Sequence, residues 1–314
     1  MATEQRTWAL RFGELGLKSA PVRRNFEGVL RASLETVAIN EGIDLFIERS
    51  QNMVLASSHG EPELVEGILR RCFGLVGADP VTPMALEPEV VATAALQRDQ
   101  RRGDKRTFAV RCRRSGAKQG WGSQQFAGDV GFHMLQGDPS LKVDLSNPQI
   151  TVRVQMSAKQ AWLMGDRIPG PGGLPCGVQG DVIARVVDED DLLTAWQVMR
   201  RGAGLVPVEG CEQRLMDLLD KWHPRLLKAD NGKTSDDKHR RRKKRRPWGF
   251  IGMSREEACS IIGEVDGRET PAVDLNATQG WSETEKMALL AHITEPAEQP
   301  WGHAGNPAQL SWIT

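Results

Sequence analysis

The chain lacks any run of about 18 apolar residues, so nothing in it is long and apolar enough to cross a bilayer as a helix. Cysteine is scarce. Its five residues, at positions 72, 112, 176, 211 and 259, form no Cys-x-x-Cys pair and no cluster with histidine. That scatter disfavours a zinc site or a disulfide framework and fits the reducing cytoplasm. The opening MATEQRTWALRFGE has no apolar core of a targeting signal, so folded sequence is expected from the start. Glycine and proline, 32 and 17 of 314 residues, are plentiful but not periodic, which excludes a collagen-like chain and argues against full disorder. Neither sign of charge is in excess, because 41 Lys and Arg balance 41 Asp and Glu.

That balance conceals segregation. Residues 238–246, KHRRRKKRR, hold eight basic side chains, which leaves the rest of the chain at about −8. Such a block repels itself and commonly contacts polyanions. Non-specific nucleic-acid contact is therefore expected of Arg240, Arg241, Arg242, Lys243, Lys244, Arg245 and Arg246, within an insert at 228–247.

A chain of 314 residues implies two or three domains. WALRF reads as a strand, and Asn25 is expected to cap a helix over FEGVLRASLETVAINEG. DLFIERS and MVLASS read as two strands, PELVEGILRRCFG as a helix and VTPMAL as a further strand. That order is the split βαβ, ferredoxin-like one, placed at 1–80. A second unit, 81–168, runs helix (EVVATAALQRDQRR), strand (TFAVRCRRS), helix (SQQFAGDVGFHMLQG) and two strands (TVRVQMS, QAWLMGDR). The Gly/Pro-rich RIPGPGGLPCG predicts a turn-laden joint, with its boundaries at 169–177. From 178 to 296 strands and helices alternate (DVIARVV, LLTAWQVMRRG, AGLVPVEG, QRLMDLLDKWH, PWGFIG, REEACSIIG, SETEKMALLAHI), which implies parallel βαβ units. Residues 297–314 read as a tail. The fold class is α/β with α+β N-terminal units.

Four of these stretches, in order, resemble the tRNA 4-thiouridine synthetases, the tRNA sulfurtransferases. RFGELGLKSAPVRRNFEGVL is similar to the family's opening. TFAVRCRRSGAKQGWGS and LKVDLSNPQITVRVQM resemble its THUMP domain, and DRIPGPGGLPCGVQGDV resembles the joint into its pyrophosphatase-loop domain. The likeness covers roughly residues 8–205, and MRRG at 199–202 falls where the first helix of that last domain ends. It implies a ferredoxin-like domain, a THUMP domain, a Rossmann-like pyrophosphatase-loop domain, cytoplasmic tRNA processing to thiouridine and a tendency to homodimerise.

The departures bear on function. Where the family has a Ser-Gly-Gly-x-Asp-Ser loop, whose amides grip pyrophosphate, this chain has VVDEDDLL. Asp188, Glu189, Asp190 and Asp191 stand there and the glycines are gone, so the loop is degenerate. Acidic residues at a helix start also serve as caps. Nothing near Cys211 in the sequence would activate it, Cys259 is expected on a buried helix face, and no cysteine follows it. No catalytic residue, metal or cofactor is therefore expected.

Basic residues remain for RNA. Arg111, Arg113, Arg114 and Lys118 lie on a strand and its loop, Trp121 is flanked by glycines, and Ser123 is expected to cap the next helix. Lys105, Arg106, Lys142 and Arg167 extend this set, and Arg11, Lys18, Arg23 and Arg24 group around an N-terminal loop. Trp121 could stack on a base or anchor its loop. The expectation is a non-catalytic tRNA-binding pseudoenzyme, an accessory factor in tRNA modification. The resemblance implies contacts with acceptor-end phosphates. Two alternatives stay open: an active sulfurtransferase making 4-thiouridine with ATP and magnesium, and a THUMP adaptor serving a separate tRNA-modifying enzyme.

Overall fold

The computed structural model describes residues 5–13, 19–50, 53–99, 105–116, 120–223, 247–265, 268–269 and 272–299. Lys18, Lys118, the basic run 240–246 and most of the expected tail lie outside them. The chain divides into two compact units. One holds residues 1–10, 46–59 and 79–167, and the other 11–45, 60–78 and 168–314.

The first unit is built on a large mixed sheet. Its first strands are β1 (Arg6–Phe12), β2 (Phe46–Ser50), β3 (Met53–Ser58) and β4 (Leu75–Ala85). They lie in the order β2-β3-β1-β4, the ferredoxin-like arrangement expected of a split βαβ unit. The sheet continues through β8 (Gln160–Met164), β7 (Ile150–Met156), β5 (Arg106–Arg114) and β6 (Leu141–Val143). A boundary drawn from sequence at 80/81 thus falls inside β4. β5 runs parallel to β6 and β7, whereas β8 is antiparallel to β7 and β4.

Alternation along these strands separates two faces. Phe108, Val110, Val152, Val154, Met156, Ala161 and Leu163 meet α3 (Pro88–Arg98) and α4 (Ser123–Gly137) through Val91, Phe126, Val130 and Met134. On the other face Trp162, Met164 and Val81 join Ala9, Met53 and Leu55.

The second unit contains α1 (Ala20–Asn40) and α2 (Pro62–Arg70). Helix α1 begins five residues before Asn25, which corrects the expected cap. Ser19 is the N-cap residue and Pro21 sits in the first turn, where its fixed φ suits the helix and its missing N–H costs nothing. Phe26, Leu30, Leu34 and Ala38 form its buried stripe at a spacing of four.

The stretch 167–177 is no slack joint. It opens with β9 (Ile168–Pro169), which pairs with β4, and then the Gly172 amide donates to Leu75 O at 2.7 Å. A Cβ on Gly173 (φ +73°) would lie 2.1 Å from Arg200 O, so glycine here permits close backbone approach, not flexibility.

The rest of this unit is the predicted parallel α/β sheet, with strand order β11-β10-β12-β15. These strands are β10 (Asp181–Ala184), β11 (Gly204–Pro207), β12 (Gly249–Ile251) and β15 (Val273–Asp274). A two-stranded hairpin, β13 (Glu264–Val265) with β14 (Arg268–Glu269), precedes β15. The helices are α5 (Glu189–Arg200), α6 (Gln213–Trp222), α7 (Arg255–Ile262) and α8 (Glu283–Thr294). Val182, Ala184, Leu192, Trp196, Met199 and Leu219 fill one core cluster, while Ile183, Phe250 and Ala258 fill another. Phe73 stacks on Trp222 at 5.4 Å and meets Trp196 edge-on at 5.4 Å.

Candidate nucleic-acid interface and the mouth of the parallel sheet

The outer face of β5 and β7 is basic. Arg111 and Arg113 are exposed, two positions apart, while Val110 and Cys112 between and beside them pack inward. The Arg111 guanidinium donates to Leu145 O, and Asp144 accepts from the Ser146 and Asn147 amides, both at 2.9 Å, so a backbone turn fixes this arginine's approach. Register places Arg153 of β7 directly beside Arg111. Arg153 Nη1 donates to Asp79 Oδ1 at 3.2 Å, and its Nη2 donates to Gly165 O. Arg167 meets the same carboxylate in a fork, Nε to Oδ1 at 2.9 Å and Nη2 to Oδ2 at 3.1 Å. Asp79 is fully buried and holds the Arg167 pKa above its ordinary value.

Asp79 and Arg153 were missed in the sequence. The alternation of TVRVQM marks Arg153 as outward-facing, as it does Arg111, but nothing local marks Asp79, which lies in a Gly-Ala-Asp-Pro stretch that reads as a turn.

Other expected residues fall elsewhere. Arg106 is only 5% exposed and pairs with Asp99 at 2.6 Å, so burial removes it from the basic surface. Arg114 turns to the core side and donates to Trp121 O. Trp121 is half-buried against Phe126, edge-on at 5.7 Å, and anchors its loop. Ser123 is the first residue of α4, and Gly122 is its N-cap, which corrects the expected serine cap. Lys105 and Lys142 are exposed. Arg23 is half-buried and Arg24 exposed in the first turns of α1, and Arg11 is half-buried at the end of β1.

In the second unit β10 lies between β11 and β12, so the turn after β10 sits where the strand order reverses, the usual ligand position in such sheets. Four of its backbone amides are already taken. Arg185 N donates to Ile251 O (3.0 Å), Val186 N to Cys211 Sγ (3.4 Å), Val187 N to Asp191 Oδ2 (3.1 Å) and Asp191 N to Asp188 Oδ1 (2.9 Å). Asp188 is thus the side-chain cap of α5, and burial raises the Asp191 pKa. The Arg185 side chain crosses the mouth to Glu257 (2.9 Å through Nη1) and to Glu209 O (2.9 Å). Gly252 (φ +68°) packs against the same turn, since a Cβ there would lie 1.9 Å from Arg185 O. Asp190 pairs with Lys286 at 2.8 Å.

Two of the thiols are poorly disposed for nucleophilic work. Burial pushes Cys112 up to about 11 and Cys72 higher still. Cys211 Sγ donates to Val208 O at 3.2 Å. Cys259 is half-buried, and Ala258 takes the buried position on α7, which corrects the expectation for this cysteine. Among the described residues no group of three acidic, His or Cys side chains is placed to hold a metal ion, and no helix is long and apolar enough to cross a membrane.

The THUMP domain family matches residues 90–166, the stretch that carries β5 to β8 and α4. The "Probable tRNA sulfurtransferase" of Thermococcus kodakarensis is 32% identical over 206 residues, 63% of this chain and 54% of that protein. The protein of the same name from Methanocaldococcus jannaschii is 29% identical over 205 residues, 63% of this chain and 54% of its own length. The chain spans about half the length of these curated relatives. Among solved structures, PH1313 from Pyrococcus horikoshii superposes with a TM-score of 0.68 at 21% identity, over 92% of this chain and 99% of that one. A 4-thiouridine synthetase–RNA complex with bound ATP superposes with a TM-score of 0.66 at 20% identity, over 95% of this chain and 88% of that one. Residues 90–166 match the THUMP domain, and the chain is similar over about two hundred residues to proteins named probable tRNA sulfurtransferase.

Proposed function

We propose that this protein binds tRNA without catalysing its modification and serves as an accessory factor in tRNA modification. The observation that carries the second half of this reading is the mouth of the parallel sheet. A triphosphate is gripped by free amides in a glycine turn. Here the amides of Arg185, Val186, Val187 and Asp191 are all bonded within the protein, and the Arg185 side chain is tied to Glu257 and Glu209 O beside them. Asp188 and Glu189 would oppose a phosphate at ~4 Å by roughly 1–4 kcal/mol each. The residues present do not fit ATP.

Support for tRNA as the ligand comes from the THUMP match and from the exposed arginines on its sheet. Guanidinium groups on a sheet face neutralise backbone phosphates and position an RNA without reading its bases.

Calorimetry with ATP, with and without magnesium and tRNA, tests the non-catalytic half. No heat of binding is expected from ATP. Micromolar, magnesium-dependent binding that Asp188→Ala abolishes would return the active sulfurtransferase to first place.

A further inference from the structure

The pairing of Arg153 and Arg167 on one buried carboxylate exceeds what neutralising Asp79 requires. One arginine forked on Asp79 would cancel its charge. The second leaves the group at +1, with the negative end inside and the positive end outside: Asp79 is 0% exposed, and the Arg153 and Arg167 side chains keep 32% and 44% of their surface. Asp79 occupies Nε and Nη2 of Arg167, which leaves Nη1 directed to no partner within the fork. Arg153 is held at two points, by Asp79 and by Gly165 O, so its plane is fixed before any ligand arrives. Arg111 stands beside Arg153 in register on the next strand. Fixed guanidinium planes match the geometry of phosphate oxygens, and preorganisation removes the entropy of ordering two long side chains.

We propose that Arg153 and Arg167, aimed by the buried Asp79 and flanked by Arg111, form a discrete binding site for a single phosphate of an RNA backbone, with Asp79 as its positioning residue. This rests on the RNA-binding reading above and gives it an address.

The test is filter binding of deacylated tRNA to the full chain across a salt series, for wild type, Asp79→Asn and Arg167→Lys. The Asp79→Asn change removes a negative charge from a basic surface. If the site acted by net charge alone, affinity would rise. If Asp79 aims the arginines, affinity falls, by about tenfold, the loss of one charge-assisted hydrogen bond set. Arg167→Lys retains the charge but cannot fork onto Asp79, and a comparable fall is expected with circular dichroism unchanged. It also serves as the probe should the Asp79→Asn variant fail to fold. Removing the phosphate contact lowers the log–log salt slope by about 0.9. Wild-type binding with a steep slope that both variants leave intact would overturn the phosphate site and spare the RNA-binding reading. Wild-type affinity indifferent to salt would overturn both.

Discussion

Arg111 and Arg113 point to solvent from a strand whose intervening side chains lie in the core, so reversing their charge touches no packing. The fold loses only the Arg111 bond to Leu145 O. Arg111→Glu with Arg113→Glu is expected to lower tRNA affinity by about tenfold or more while the circular dichroism stays native. A native spectrum with undiminished affinity would show that RNA does not use this face. Strand parity explains which arginines were legible in the sequence. Arg106 and Arg114 share the parity of Phe108, Val110 and Cys112, and both turn toward the core side, where one is held by Asp99 and the other by Trp121 O. Counting basic residues put them on the surface, whereas alternation applied to every position would have withdrawn them. Asp79 was beyond such reasoning, because its partners lie 74 and 88 residues away.

His292 offers a second residue-scale prediction. It is buried against Trp196 and Trp222, and burial lowers its pKa from 6.5 to about 4. Between those values the unfolded chain binds a proton that the folded chain refuses, so stability is complete above pH 6.5 and falls as pH drops toward 4. The fall attributable to this group is about 2 kcal/mol between pH 7.5 and 5. Urea unfolding of wild type and His292→Gln at both pH values checks it. The variant should lose less stability on acidification than wild type, and equal losses would contradict the assignment.

At the scale of elements, the turn from β10 into α5 shows how one acidic run can serve a fold. Asp188 caps the helix, Asp191 returns to the Val187 amide, and Asp190 pairs with Lys286 of α8. Asp188→Ala is expected to cost about 1 kcal/mol, an ordinary cap loss. Gly252→Ala meets the same turn from the neighbouring strand, with a positive φ and a backbone oxygen 1.9 Å from the new Cβ, and is expected to cost on the order of 2 kcal/mol or more. Chemical denaturation ranks the two. A Gly252→Ala variant as stable as wild type would mean that Gly252 does not pack against this turn. The order of the longer strands and helices was readable because the hydrophobic period changes cleanly from two to about four, whereas β6, β9, β13, β14 and β15, two or three residues each, are too short to show a period. Helix starts were less so: Asn25 and Ser123 are good capping residues by type, yet Pro21 sets the first turn of α1 and Gly122 is the N-cap of α4. The glycines of 167–177 look the same in sequence whether they loosen a chain or let backbones touch, and only the opposing atoms of Leu75 and Arg200 decide between the two.

At the scale of the molecule, a net charge of zero has to be reconciled with the polyanionic ligand proposed above. Screening makes the reconciliation local. At physiological salt a charge acts over about 8 Å, so a phosphate responds to the arginines beside it and not to distant carboxylates. Affinity should then come from two separable sources: the sheet face with Arg111, Arg113, Arg153 and Arg167, and the run KHRRRKKRR at 238–246. Deleting that run leaves the chain at about −8 and removes eight cations that stand consecutively but for one histidine. The deletion is expected to weaken tRNA, unrelated duplex RNA and DNA by similar factors and to lower the salt slope for all of them. The Arg111→Glu, Arg113→Glu variant should instead weaken tRNA more than the other two, because an array held on a sheet selects a backbone geometry, whereas sheer density of charge does not. Parallel filter-binding titrations of both variants against the three nucleic acids separate the contributions. If the deletion abolishes tRNA preference and the sheet-face variant leaves it intact, selectivity resides in the basic run, and the sheet face is no longer needed to explain it.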